Sequence, residues 1–328
     1  MLVQKTVGAK TPFAPSVGKL IRMGNIFEFR LCSTKSNGLG KIKKINKYQY
    51  ANTETGEVHD YKITENRAQN VGGLKRTFAN IRRMINANFN GGENELFVTL
   101  TYRENMTDVE KLRVDFKSFA KRLRYWHGEF EYFSVVEPQA RGAWHCHVLL
   151  KFPDGQKTFI ANNEMADIWS HGYTTTRSLK ACDNIGAYLT AYLADIELPE
   201  GKKSDGEIVE KDVKDSDGNT TKKRFIKGGR CHLYPSGMNI YRCSRGIKKP
   251  VAEEVTFEEV EKEVGGHDPV FSQTIEIKDD SGKTLNVIRY FSYNLRRTGK
   301  QNDPHSSQNS VHARPTDQRK LPENAPVL

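Results

Sequence analysis

Long apolar runs are missing from this 328-residue chain. No stretch approaches the ~18 consecutive apolar residues of a membrane-spanning helix, so no helical span and no membrane partner is expected. Residues 1–19 lack the apolar block of a secretory signal, and the expected location is the cytoplasm. Cysteine is sparse: Cys32, Cys146, Cys182, Cys231 and Cys243 are scattered, odd in number and form no C-x-x-C pair. That pattern argues against a zinc ribbon and leaves reduced thiols that fill space. No G-x-x-x-x-G-K-[ST] occurs, so the chain has no phosphate loop of its own to power DNA unwinding. No repeat of solenoid length recurs.

Positive charge is in excess. Lys and Arg number 51 against 40 Asp and Glu, a formal +11, and the pI is near 9.3. Such a surplus attracts polyanions, nucleic acid first among them, although charge alone separates neither DNA from RNA nor binding from solubility. With 37% hydrophobic and 28% charged residues, the composition supports a buried core in one large domain or two modest ones.

The periodicities divide the chain. Residues 1–19 carry no pattern and read as a flexible N-terminus. Residues 26–32 and 43–50 alternate like two strands joined by a turn over 35–40, and apolar residues recur at helical spacing over 64–88 until Gly91 and Gly92 stop them. These form an N-terminal hairpin and basic helix, 20–92. A compact block, 93–197, then interleaves strands 96–102, 132–137, 144–152 and 173–178 with helices 108–126, 159–169 and 184–195. The short turn over 138–143 makes at least one strand pair antiparallel, so the expected class is α+β: an antiparallel sheet with helices packed on one face. Residues 198–223 are charged and small, and read as a disordered insertion. A β-rich extension follows over 224–297. It holds a hairpin of 230–234 with 238–243, a helix 256–264 with Thr256 as its cap and Glu259 completing the box, and a hairpin of 270–278 with 285–293. From 298 to 328 the chain reads as a disordered tail.

The chemistry concentrates in the compact block. Trp144-His145-Cys146-His147 puts two imidazoles on one face of a strand and Cys146 on the other, half of a metal site. On its own, an H-x-H is more often two surface histidines. If the turn after Glu137 centres near Arg141, Glu137 stands opposite His145 and Val135 opposite His147, with Cβ atoms about 5 Å apart. A His, His, Glu set suits Mg²⁺ or Mn²⁺; the bland alternative is that Glu137 caps the strand or pairs with Arg141. On the helix after 184, Tyr188 and Tyr192 at i and i+4 share a face, which is a packing stripe or a pair of nucleophiles. The segment 96–102 by itself says only core strand.

Taken in order, Phe97-Val98-Thr99-Leu100-Thr101-Tyr102, then Glu137 with Trp144-His145-Cys146-His147, then Tyr188 and Tyr192 resemble the three motifs of rolling-circle replication initiators of the HUH endonuclease superfamily. The likeness is to the two-tyrosine branch and covers about half the chain, from residue 96 to 250. It implies a ferredoxin- or RRM-like core, with His145, His147 and Glu137 as metal ligands and Tyr188 and Tyr192 as nucleophiles. The implied reaction cuts DNA to leave a 5′-phosphotyrosyl link and a free 3′-OH, and later rejoins the strand. One departure stands out: related proteins often carry a lysine beside the tyrosines, where this chain has Thr190, Ala191 and Asp195.

Such an enzyme holds single-stranded and origin DNA, and it depends on a host helicase and polymerase. Lys121, Arg122 and Arg124 with Tyr125 and Trp126, and Arg242, Arg245, Lys248 and Lys249 with Tyr241, are the candidate DNA contacts. His127 and His171, beside aromatic neighbours, are left out of the site. Competing readings are a relaxase or transposase with the same chemistry, a non-catalytic nucleic-acid-binding module, and an oxygenase with two His and one carboxylate. The last gives the tyrosines and the charge no role.

Overall fold

A computed structural model describes residues 2–7, 17–34, 42–46, 48–61, 64–139, 142–179, 184–192, 196–198, 208–214, 220–226, 230–296 and 311–312. It opens with strands β1 (Leu2–Val7), β2 (Val17–Met23) and β3 (Ile26–Cys32), followed by β4 (Ile42–Lys44), β5 (Gln49–Asn52), β6 (Val58–Asp60) and helix α1 (Val71–Asn88). The central block is β7 (Glu95–Thr101), α2 (Val109–His127), β8 (Glu131–Pro138), β9 (Trp144–Lys151), α3 (Asn162–Trp169), β10 (Thr174–Ser178) and α4 (Ile185–Tyr192). Then come β11 (Ile196–Leu198), β12 (Ile208–Lys214), β13 (Thr220–Ile226), β14 (Tyr241–Cys243), β15 (Ala252–Thr256) and α5 (Phe257–Glu263). Strands β16 (Phe271–Lys278), β17 (Thr284–Asn294) and β18 (Val311–His312) complete the order.

The central block forms a five-stranded sheet in the order β10-β7-β9-β8-β14, antiparallel at every pairing, so the class is α+β. On α2 the buried residues Leu112, Phe116, Phe119, Ala120 and Leu123 form one stripe at helical spacing. Each large side chain so buried stabilises the fold by about 1.5–3 kcal/mol. Asp108 caps the helix by accepting the N–H of Glu110 and Lys111, and Gly128 at φ +81° ends it in a conformation that favours glycine. Phe116 meets Tyr132 edge-on, Tyr102 donates to Asp115, and Arg122 donates to the carbonyls of Ile168 and Trp169 at the end of α3. These contacts put α2 and α3 on the sheet face that carries Tyr102, Tyr132 and Cys146.

The opposite face is also covered. Glu95 and Lys151 lie on it, by the alternation of β7 and β9. The Glu95 carboxylate accepts the N–H of Asn90, Gly91 and Gly92 at 3.0, 2.7 and 3.2 Å, and Lys151 donates to the Asn88 carbonyl at 3.1 Å. These bonds tie the end of α1 to that face, so the helical cover extends to both faces rather than one.

Several expectations need correction. Strand β3 pairs with β2 and β17, not with residues 43–50. The latter divide into β4 and β5 because the Asn46 side chain accepts the N–H of Tyr48 and Gln49 and turns the chain. The N-terminus to residue 19 contains β1 and the start of β2. β1 is exposed on both faces, which leaves no apolar period to detect. Residues 67–69 form a 3₁₀ turn, and α1 starts only at Val71, capped by the Asn70 side chain on Gly73 N–H. Residues 208–214 and 220–226 of the supposed insertion pair as β12 and β13. Residues 231–233 form a 3₁₀ turn, and β14 pairs with β8 instead. The remaining tail, 297–310 and 313–328, lies outside the described residues.

The two flanking regions read as separate additions are strands of a single sheet. Its order is β1-β16-β17-β3-β2-β15, and a second core of Leu20, Phe27, Phe29, Leu31, Phe257, Val260, Val264, Phe291 and Tyr293 lies under α5. The Thr256–Glu259 capping box and the β16–β17 hairpin are as expected. The Glu28 carboxylate of β3 meets Arg82 and Arg83 of α1 at 2.8 and 2.7 Å, joining this sheet to the central block. Among the described residues no helix is long and apolar enough to cross a membrane.

Candidate active site

The β8–β9 hairpin sets the site. Gln139 N–H donates to Ala143 O at 2.7 Å and Gly142 N–H to Gln139 O at 2.9 Å, with Gly142 at φ +86°. This turn fixes the register in which Glu137 faces His145 and Val135 faces His147, as the spacing implies. Strand β7 adds Thr101 opposite His145 and Thr99 opposite His147. Cys146, Val148 and Leu150 point to the other face and are buried there, so a slip of one residue would turn the histidines into the core.

The side chains refine that picture. Glu137 is 1% exposed. Its Oε2 meets Nε2 of His147, the diagonal neighbour, rather than the residue it faces. Diagonal positions on adjacent strands lie within reach of a long side chain. Its Oε1 is ion-paired with the Arg230 guanidinium, whose side chain is 12% exposed. The His147 ring is fixed from two further sides: Nδ1 lies 3.2 Å from Thr99 Oγ1, and Phe97 stacks on it at 5.6 Å and 16°. The His145 ring stands 6.5 Å from that of His147 and 73° from its plane. Among the described residues, no three His, Cys, Asp or Glu side chains converge into a metal-ready cluster. The donor types suit a hard divalent cation; in this arrangement Glu137 engages His147 and Arg230.

Residues 188 and 192 both lie on α4, one turn apart, which is the backbone condition for a tyrosine pair on one face. α4 is seated on α1. Asn86 Oδ1 accepts Gly186 N–H at 2.8 Å and Asn86 Nδ2 donates to Asn184 Oδ1 at 3.0 Å. A Cβ at Gly186 would lie 2.4 Å from the Arg82 carbonyl, so only glycine permits this approach. Since the end of α1 is held by Glu95 on the histidine-bearing face, α4 is tied to the same side of the sheet.

The basic candidates separate into two groups. Lys121, Arg122 and Arg124 belong to α2, on the far side from the histidines. Arg122 is engaged with α3, and Arg124 pairs with Glu129 and lies 4.7 Å over the Phe130 ring. These are internal contacts, so Lys121 is the member of this trio left at the surface. Arg242 lies opposite Ser134 and shares the α2 side, whereas Tyr241 stacks on Phe133 at 5.3 Å on the histidine side. Arg245, Lys248 and Lys249 are exposed, and the backbone of Lys248 is held by Asn88 at the end of α1. That second group rims the histidine-bearing side. His127 pairs with Glu164 and His171 with Asp115, both on the α2 side.

Reasoning from sequence missed Arg230, Phe97, Glu95 and Asn86. Thr99 stood within a recognised strand, and its position opposite His147 was the available signal. The pairing with Arg141 weighed for Glu137 falls on a residue outside the described ones.

Residues 95–197 match the family of replication-associated proteins of the ORF2 and gene 2 protein type. The matched stretch begins at β7 and ends within β11, so it spans the histidine strand, Glu137 and α4. The match supports a role in replication initiation. No curated protein and no solved structure matches the chain.

Proposed function

We propose that the protein cuts and rejoins one strand of DNA at a replication origin, starting rolling-circle replication, with Tyr188 and Tyr192 as nucleophiles. The carrying observation is the β8–β9 register: it gathers Glu137, His145 and His147 on one sheet face, inside the segment that matches replication-associated proteins.

The chemistry follows from the groups. A tyrosine oxygen attacks the scissile phosphorus and forms the phosphotyrosyl bond, while the bond to the 3′ oxygen breaks. The phenolic proton passes to a base and the departing oxygen leaves as a free 3′-OH. The energy of the cut bond stays in the new ester, so rejoining needs no nucleotide cofactor. A second tyrosine allows a second transfer that ends the round. His145, His147 and Glu137 would hold Mg²⁺ or Mn²⁺, which polarises the phosphate and spreads its developing charge. For Glu137 to join that set it exchanges its contact with His147 or Arg230. Thr99 and Phe97 keep the His147 ring in one orientation, as outer partners of ligating histidines do.

Labelled single-stranded oligonucleotides tiling the replicon, incubated with and without Mn²⁺ and run on denaturing gels, test this reading. A metal-dependent covalent band that vanishes in the Tyr188→Phe/Tyr192→Phe protein is expected. Tight binding with no band on any oligonucleotide would leave a non-catalytic DNA-binding module.

A further inference from the structure

A second concentration of basic and aromatic groups lies outside the candidate active site. On the six-stranded sheet, Lys19 faces Arg30 across β2 and β3, and Arg30 faces Tyr290 across β3 and β17. The three side chains therefore form one row on the face turned away from the α5 core. Lys19 and Arg30 are exposed and Tyr290 is half-buried. None of the three makes a side-chain hydrogen bond or ion pair with another described residue. Arg83 of α1 closes one side, and Ile21, Glu28, Phe29 and Ala252 complete the lining of a pocket here.

The charge is unbalanced. Glu28 is the carboxylate of the pocket, and it is held by Arg82 and Arg83 at 2.8 and 2.7 Å. Burial raises its pKa, but the two guanidiniums outweigh that and hold it below the usual range, so it stays a carboxylate paired with two cations. Glu254 faces Lys19 from the edge strand, fully exposed. Lys19 and Arg30 thus present positive charge next to an aromatic face. At about 220 Å³ the pocket is smaller than the ~300–1,000 Å³ of enclosed small-molecule sites. It suits one segment of a polymer lying across an open surface.

We propose that this pocket is a second DNA-binding subsite, in which Lys19, Arg30 and Arg83 hold backbone phosphate and the Tyr290 ring takes an adjacent base. Cationic groups along the backbone with an aromatic platform for a base are the elements of single-strand binding. The identity of the polyanion as DNA rests on the nicking reading. Arg83 lines this pocket while the end of α1 is fixed to the histidine-bearing face. A strand that touches both runs past α1, a cylinder about 10 Å across, so the pocket grips DNA flanking the cut rather than the scissile phosphate.

Fluorescence anisotropy with labelled single-stranded origin DNA over a range of salt concentrations tests the subsite in the full chain. Removing two phosphate contacts in Lys19→Ala/Arg30→Ala should flatten the slope of log affinity against log salt by about 1.4, at ~0.7 per contact. Tyr290→Ala should cost roughly tenfold in affinity with the slope unchanged. Lys19→Arg/Arg30→Lys should keep the wild-type slope, which separates lost charge from lost fold. Covalent adduct formation on a short oligonucleotide spanning only the cut should be unchanged in all these variants. Wild-type slope and affinity in both the double variant and Tyr290→Ala would overturn the subsite. Should the wild type form no adduct at all, the nicking reading falls, and the slope comparison still decides whether the pocket binds nucleic acid.

Discussion

Replacing Arg230 by Met removes the cation that faces Glu137 in the interior. The carboxylate is 1% exposed and the Arg230 side chain 12%, so neither partner regains full hydration when the other is lost. Breaking a buried ion pair from one side costs about 3–5 kcal/mol. For domains of this general size each kcal/mol lowers the melting temperature by roughly 2–4 °C, so Arg230→Met should melt some 6–20 °C lower. Glu137→Gln should lose a similar amount, because it leaves the guanidinium buried. The double variant removes both charges and should be less destabilised than the sum of the two, with a coupling of about 1–3 kcal/mol. Thermal unfolding followed by circular dichroism on the four proteins closes this cycle. A melting temperature within about 2 °C of wild type for Arg230→Met, or strict additivity in the double variant, would refute the buried pair.

Other outcomes follow from the packing and titration. Gly186→Ala forces a methyl to within 2.4 Å of the Arg82 carbonyl, and α4 must move off α1. Overpacking of this kind costs about 1–3 kcal/mol, read by urea unfolding, and DNA cleavage should fall with it. Cys146 is fully buried and burial pushes its thiol up to about 12, so iodoacetamide should label it only after denaturation, as peptide mass spectrometry would register. Burial raises the pKa of Asp115, but hydrogen bonds from Lys111 and Tyr102 and the charge of His171 outweigh it, so its folded value lies below the ordinary one. As pH falls the unfolded chain takes up this proton first. The stabilisation is therefore complete above about pH 4 and drains away below it. In Asp115→Asn the acid limb of the unfolding curve should shallow; an unchanged limb would assign acid unfolding to other carboxylates.

What was legible in the chain was whatever local periodicity encodes. The period of two in Trp144-His145-Cys146-His147 and the short turn before it gave the facing of Glu137 and His145. The 3.6 period with Asp108 and Thr256 as caps gave α2 and α5. The register did not reveal that Glu137 turns to its diagonal neighbour, because that choice depends on Arg230, far along the chain and in no periodic segment. The joining of β3 to β17 was hidden for the same reason: each strand alternates, but nothing local names a partner some 260 residues away. Strands β1, β12 and β13 carry polar residues and pair through the backbone, so a search for buried apolar alternation passes over them. Gly186 shows a different gap, since a glycine inside a helical pattern reveals its purpose only when the second helix is in place.

The most direct test is mass spectrometry of the protein after incubation with single-stranded origin DNA and Mn²⁺, digested with nuclease and trypsin. The tryptic peptide 181–202, which carries Tyr188 and Tyr192, should gain the mass of a 5′-phosphorylated nucleotide on one of the two. That mass should be absent without metal and absent from Glu137→Gln. An unmodified peptide from protein that has cut the DNA, or a nucleotide attached elsewhere in the chain, would contradict the assignment of these tyrosines as the nucleophiles.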